Sequence, residues 1–150
     1  MEFVISLACI LWNTIMEGVD MWRLSVSSKF DAAHCLSGYP GQCKNLHGHT
    51  WRVVAVFASD VIDDLGLALD FRWMRKVLND VLDKLDHSLL ISSNESVLFA
   101  GRNEALVVFD PNPTAEVIAK YIYDSLKQQV NCISSVTVYE SDNAWVEYSE

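Results

Sequence analysis

The chain reads as an α+β protein with an antiparallel sheet. Three observations predict it. "RLSVSSKFDAAH" and "HGHTWRVVAVF" alternate with a period of two. "DFRWMRKVLNDVLDKLDH" and "DPNPTAEVIAKYIYDSLKQQV" repeat their apolar residues at helical spacing. The resulting order is ββ-α-(β)-α-ββ.

In the first strand Leu24, Val26, Phe30, Ala32 and His34 share one parity, against Ser25, Ser27, Lys29 and Asp31 on the other. In the second, His47, His49, Trp51, Val53, Ala55 and Phe57 share a face. The loop between them carries Gly38, Pro40 and Gly41, so the two strands pair antiparallel. The first helix starts on Asp70 as N-cap, presents Phe71, Met74, Val77, Leu78, Val81, Leu82 and Leu85, and ends near Asp86 and His87. A polar stretch, "SSNES", and a short extended run, "ALVVF", come next. Pro113 suits the first turn of the second helix, whose stripe is Val117, Ile118, Tyr121, Ile122 and Leu126. "SSVTVYESDNAWVEYS" supplies the last strand or two.

The 150 residues make one domain, 21–150, with residues 1–20 as an N-terminal extension outside the core. Its apolar start, "MEFVISLACILW", has Glu2 where a secretory leader wants basic residues, and is too short to span a bilayer. A net charge of −9 argues against nucleic acid or an anionic membrane as partner. Cys9, Cys35, Cys43 and Cys132 form no CxxC pair and read as cytosolic thiols, which places the protein in the cytoplasm.

Three of the four histidines flank one loop. His47 and His49 are two apart on a strand and point the same way; His34 ends the preceding strand on its apolar face. Three imidazoles on one patch suit Zn²⁺, with Zn–N bonds of roughly 2.0–2.1 Å. A fourth place left open is the catalytic pattern; Cys43 in the loop closing it is the structural one. Cys35 follows His34, points to the other face, and reads as a small buried residue. Glu140 shares the parity of Val136 and Val138, so a carboxylate continues an apolar face and needs a partner: an internal Arg, or a ligand with two adjacent N–H donors. Asp86-His87, at a helix end, and Thr114 and Glu116, in a helix first turn, are also explained by helix-end electrostatics and capping.

With "FDAAH", "LHGH" preceded by Cys43, "LDH", "PTAE" and "VYES" in this order, the chain from about Trp22 onward resembles the 6-pyruvoyl-tetrahydropterin synthase / 6-carboxy-tetrahydropterin synthase family. The resemblance implies the tunnelling fold (T-fold): a ββααββ subunit, an antiparallel four-stranded sheet with two helices on one face, whose sheets join in trimers, two trimers stacking, with active sites between subunits. It implies zinc on His34, His47 and His49, Cys43 as general base, and Asp86 and His87 as a proton relay. It also implies Glu140 as pterin anchor counted with that relay, and Thr114 and Glu116 beside the substrate. The substrate implied is 7,8-dihydroneopterin triphosphate, with Lys44, Arg52 and Arg72 as candidates for its phosphates. Three residues between Cys43 and His47 resemble the bacterial 6-carboxy enzymes of queuosine synthesis; the rival readings are the 6-pyruvoyl product and a non-catalytic zinc module. Residues 1–20 have no counterpart in the family, and "SLLISSNESVLFAGRNE" fits it only loosely.

Overall fold

The computed structural model describes residues 20–99 and 105–150, so the separate extension expected over 1–20 lies almost wholly outside the described residues. Two 13-residue strands, β1 (Trp22–His34) and β2 (His47–Ser59), pair antiparallel from Trp22↔Ser59 to His34↔His47. Their alternation is the cause. One face buries Val26, Phe30, Ala32, Trp51, Val53, Ala55 and Phe57, at about 1.5–3 kcal/mol for each large side chain. A one-residue slip would turn every one of these to solvent, which fixes the register.

The helix α1 (Phe71–Leu82) begins as expected: the Asp70 carboxylate accepts from the Arg72 N–H at 2.6 Å. Met74, Val77, Leu78, Val81 and Leu82 face the sheet, whereas Phe71 is exposed. The helix ends at Leu82, short of the expected Asp86-His87. Leu85 donates its N–H back to Leu82 in a tightened turn, and Leu85 is still fully buried. His87 then takes φ 54°, a left-handed conformation uncommon outside glycine, and redirects the chain.

Beyond His87 the chain departs from the expected four-stranded antiparallel sheet. Ser88–Ser92 forms a strand, β3, parallel to β1, and β4 (Leu106–Phe109) lies parallel to β3. The described sheet is mixed and six-stranded, in the order β4-β3-β1-β2-β5-β6. β3 is buried on both faces, so "SLLIS" carries no alternation and gives no period-two signal. The polar "SSNES" starts on Ser92, the last residue of β3, and continues into a 3₁₀ segment, Ser93–Phe99.

The second helix, α2 (Ala115–Lys127), is capped by Thr114, whose hydroxyl accepts from the Val117 N–H. Pro113 precedes the cap instead of entering the first turn. Ile118, Ala119, Ile122, Tyr123 and Leu126 are buried, while Val117 and Tyr121 are only partly covered. The hairpin β5 (Ile133–Ser141) and β6 (Ala144–Tyr148) completes the sheet beside β2. Both helices share one core with the apolar face of β1, β2 and β5. Among the described residues no helix is long and apolar enough to cross a membrane.

Candidate metal centre and active site

The apolar face of the sheet ends in polar atoms. His34 and His47 are cross-strand partners, and His49 stands opposite Ala32, so all three rings leave the same face. Their centroids lie 4.5–5.2 Å apart, and Trp51, fully buried, meets His34 and His49 edge-on at 5.0 and 5.2 Å. From β5, Glu140 brings Oε1 to 3.5 Å from Nε2 of both His34 and His49. One donor atom from each of His34, His47, His49 and Glu140 falls within 4.8 Å of all the others.

The far side of two rings decides what these atoms can hold. His34 Nδ1 donates to the Pro113 carbonyl at 2.9 Å, and His47 Nδ1 donates to the Asn45 carbonyl at 2.7 Å. A carbonyl only accepts, so both protons sit on Nδ1. The two Nε2 atoms, 3.0 Å apart, are then bare lone pairs facing each other. His49 Nε2 is buried with no hydrogen-bond partner. Burial holds His34 below its ordinary pKa, against the Pro113 carbonyl, and burial also lowers His49, against Glu140. Neutral imidazoles whose lone pairs converge beside a carboxylate make a donor set that suits Zn²⁺.

Glu140 therefore meets histidines, not the internal Arg considered from its parity, and its side chain is one-third exposed. Cys43 is not part of the four-residue group. It sits half-buried in the 3₁₀ turn Gln42–Lys44. Its carbonyl accepts from the Leu36 N–H at 2.9 Å, which closes the loop on itself. Asn112, the neighbour of Pro113, grips the same loop by exchanging hydrogen bonds with the Ser37 backbone at 2.8 and 3.1 Å. Cys35 is buried beside Leu89 and Ile91, as its parity predicts, and its thiol donates to Glu95 at 3.1 Å. Burial, reinforced by Glu95, pushes that thiol up to about 11.

Asp86 and His87 lie against the other face of the sheet. Asp86 Oδ1 accepts from the Asp31 N–H at 2.8 Å, and Oδ2 accepts from His87 Nδ1 at 2.7 Å. The His87 N–H donates to the Asp31 carbonyl. The groove there, about 460 Å³, is lined by Asp31, Ala32, Ala33, Gly48, His49, Thr50, His87 and Ser88, with the strand pairs Asp31↔Thr50 and Ala33↔Gly48 as its floor. The side chains of His34, His47 and His49 take the opposite strand parity to Asp31, Ala33 and Thr50, so within one chain the dyad and the imidazole rings approach the sheet from different faces, with His49 also bordering the dyad's groove. Glu116, exposed on α2, lines a third place: a groove of about 520 Å³ with Phe109, Val117, Tyr121 and Tyr148. Thr114 serves as the helix cap.

Pro113 and Asn45 support the site through backbone carbonyls and Asn112 through a loop contact, roles that neither periodicity nor residue type reveals. Trp51 gives no signal beyond that of one more apolar residue on its strand.

The family model for 6-pyruvoyl tetrahydropterin synthase matches residues 23–150. A Haemophilus influenzae protein named 6-carboxy-5,6,7,8-tetrahydropterin synthase is 30% identical over 141 residues, 87% of this chain and 100% of that protein. The protein of that name from Aquifex aeolicus is 26% identical, over 86% of this chain and 98% of its own length. Among solved structures, Caenorhabditis elegans 6-pyruvoyl tetrahydropterin synthase superposes with TM-score 0.68 at 22% identity, covering 90% of this chain and 99% of that one. The Plasmodium falciparum enzyme gives 0.67 at 19%, covering 87% and 98%. At such identities the likeness carries the fold, which is the α+β T-fold.

Proposed function

The chain belongs to the 6-pyruvoyl tetrahydropterin synthase family, and we propose that it is a zinc-dependent lyase. In this reading it converts 7,8-dihydroneopterin triphosphate and one water to 6-carboxy-5,6,7,8-tetrahydropterin, acetaldehyde and triphosphate, a step toward queuosine and related deazapurines; the water supplies the second carboxyl oxygen. The observation that carries the reading is the convergence of His34, His47, His49 and Glu140 on one point at the end of the sheet.

His34, His47 and His49 hold the Zn²⁺, with Pro113 and Asn45 fixing two of the rings from behind. Bound there, the ion supplies Lewis acidity toward the hydroxyls of the substrate side chain. Cys43 takes a carbon-bound proton as general base. His87, oriented through Nδ1 by Asp86, exchanges protons at the opposite side of the substrate. Triphosphate and a two-carbon fragment then leave.

Glu140, 3.5 Å from two of the histidines, grips the pterin's paired ring N–H and amino donors beside the ion. Glu116 stands beside the substrate. Its carboxylate is exposed and stands in a groove with three aromatic rings, those of Phe109, Tyr121 and Tyr148. Thr114 orients that first turn as its cap.

Because Asp86-His87 and the histidine cluster occupy opposite faces of one sheet, the complete site needs more than one chain. Apolar side chains exposed on both sheet edges, Val108 on β4 and Trp145 on β6, support a homo-oligomer joined edge to edge as a trimer or dimer of trimers.

Incubating the zinc-loaded protein with 7,8-dihydroneopterin triphosphate and trapping aldehydes tests the reaction. Acetaldehyde with 6-carboxy-tetrahydropterin is the expected outcome. A 6-pyruvoyl product without acetaldehyde transfers the chain to the other branch of the family, and no turnover with full zinc occupancy leaves a zinc module.

A further inference from the structure

On the sheet face opposite the helices one cross-strand row carries an unusual charge pattern. Lys29 of β1 stands directly opposite Arg52 of β2, Arg52 opposite Tyr139 of β5, and Tyr139 opposite Trp145 of β6. Like charges directly opposed across two strands destabilise a sheet. The chain has 20 acidic residues against 11 Lys and Arg, so partners for these two are abundant. Among the described residues neither Lys29 nor Arg52 makes an ion pair.

The local carboxylates are engaged elsewhere. Asp31, next on the same face of β1, accepts from the Thr50 hydroxyl at 2.5 Å. Asp86 is held by the Asp31 N–H and His87. The Arg52 guanidinium carbon lies 3.4 Å from the Tyr139 ring centroid, and Tyr139 stacks on Trp145 at 5.7 Å. Stacking orients the guanidinium through its π face and leaves its edge N–H donors open to an anion. The row adjoins the Asp31↔Thr50 pair that floors the His87 groove, about 7 Å along the strands.

We propose that Lys29 and Arg52 form a polyphosphate-binding subsite, the place where the triphosphate of the substrate is held while its side chain reaches the His87 groove. The assignment rests on the pterin triphosphate reading above. Two cations on facing strands, about 5 Å apart at Cβ, match successive phosphates of a chain better than one phosphate. Lys29 contributes a mobile point charge and Arg52 a forked donor set. Of the three basic residues named as candidates from the sequence, Lys44, Arg52 and Arg72, this selects Arg52 and adds Lys29.

The test uses the full-length protein and inorganic triphosphate. Calorimetric titration is compared for the parent, Lys29→Gln, Arg52→Lys and the Lys29→Gln/Arg52→Gln pair, with zinc content and circular dichroism read on each. The double variant is expected to bind triphosphate about tenfold more weakly or worse, the loss of one or two charge-assisted hydrogen bonds. Its KM for 7,8-dihydroneopterin triphosphate should rise in proportion while kcat and zinc content hold. Lys29 is exposed, so its single variant keeps the fold and reads the site even if Arg52→Gln disturbs the stack. Unchanged triphosphate affinity and KM in a folded, active double variant overturns the subsite and leaves the enzyme reading intact. Triphosphate binding that depends on Lys29 and Arg52, with no turnover of the pterin, keeps the subsite and sinks the enzyme reading.

Discussion

His34 Nδ1 donates to the carbonyl of Pro113 at 2.9 Å, joining the end of the first strand to the residue before the cap of the second helix, 79 positions later. That one bond sets the tautomer of a fully buried imidazole and aims its Nε2 at the point where the donor atoms of His47, His49 and Glu140 converge. His34→Ala and His47→Ala should each abolish stoichiometric zinc binding, read by metal analysis of purified protein. Glu140→Gln, which keeps the shape and removes the charge, should weaken zinc by roughly 10–100-fold. Full occupancy in His47→Ala would show that the site is misassigned.

The thiols should separate by reactivity. Cys35 is buried and hydrogen-bonded to Glu95, so it should resist alkylation at neutral pH, whereas Cys43 in its loop should label. Cys43→Ala should retain zinc and lose turnover by at least about 10²-fold, the usual contribution of a general base. If zinc falls away with the Cys43 thiol, the residue is a ligand and the structural Cys-His₃ alternative is right. Peptide mapping after alkylation, with metal content measured in parallel, reads both outcomes.

His87 occupies a left-handed conformation that a side chain enters at a cost of about 1–2 kcal/mol. Such strain is retained where function requires the side chain. His87→Gly should therefore be more stable than His87→Ala by about 1 kcal/mol, since both lose the imidazole and only glycine relieves the backbone. Both should lose turnover and keep zinc. Near-normal kcat in His87→Ala would reduce His87 to a turn residue.

Asp86 is held below the ordinary carboxylate range, first by the Asp31 N–H and then by its contacts with His87. A carboxyl whose folded pKa is depressed adds stability above its unfolded pKa, and that stability is lost as pH falls through the folded value. Denaturant midpoints of the parent should fall across the acid range more steeply than those of Asp86→Asn. Parallel curves for the two proteins would mean that the Asp31–Asp86–His87 link is broken in solution.

A chain starting at Met21 should fold and assemble like the full-length protein, because β1 starts at Trp22 and the family match runs over residues 23–150. Size-exclusion chromatography with light scattering compares the two. A monomeric or insoluble short form beside an assembled long one would make residues 1–20 part of the core or of an interface.

The long strands, both helices, the Asp70 cap and the common face of the three histidines were legible in the sequence. Each rests on a period of two or 3.6 residues or on a neighbour within one turn. Alternation alone predicts that His34, His47 and His49 share a patch, and the motifs mark Cys43, Asp86, His87 and Glu140. Tertiary structure decided the rest. A strand buried on both faces, Ser88–Ser92, has no alternation to read, so the mixed six-stranded sheet emerges only when β3 packs beside β1. The placing of Glu140 among the histidines depends on how β5 registers against β2, and the supports at Pro113 and Asn45 are backbone carbonyls that every residue type possesses. His87 is delivered by a left-handed turn to a groove on the face of the sheet opposite the histidine rings. Periodicity records which side of an element a residue occupies; which elements meet there is settled by long-range packing, whose partners lie tens of residues apart.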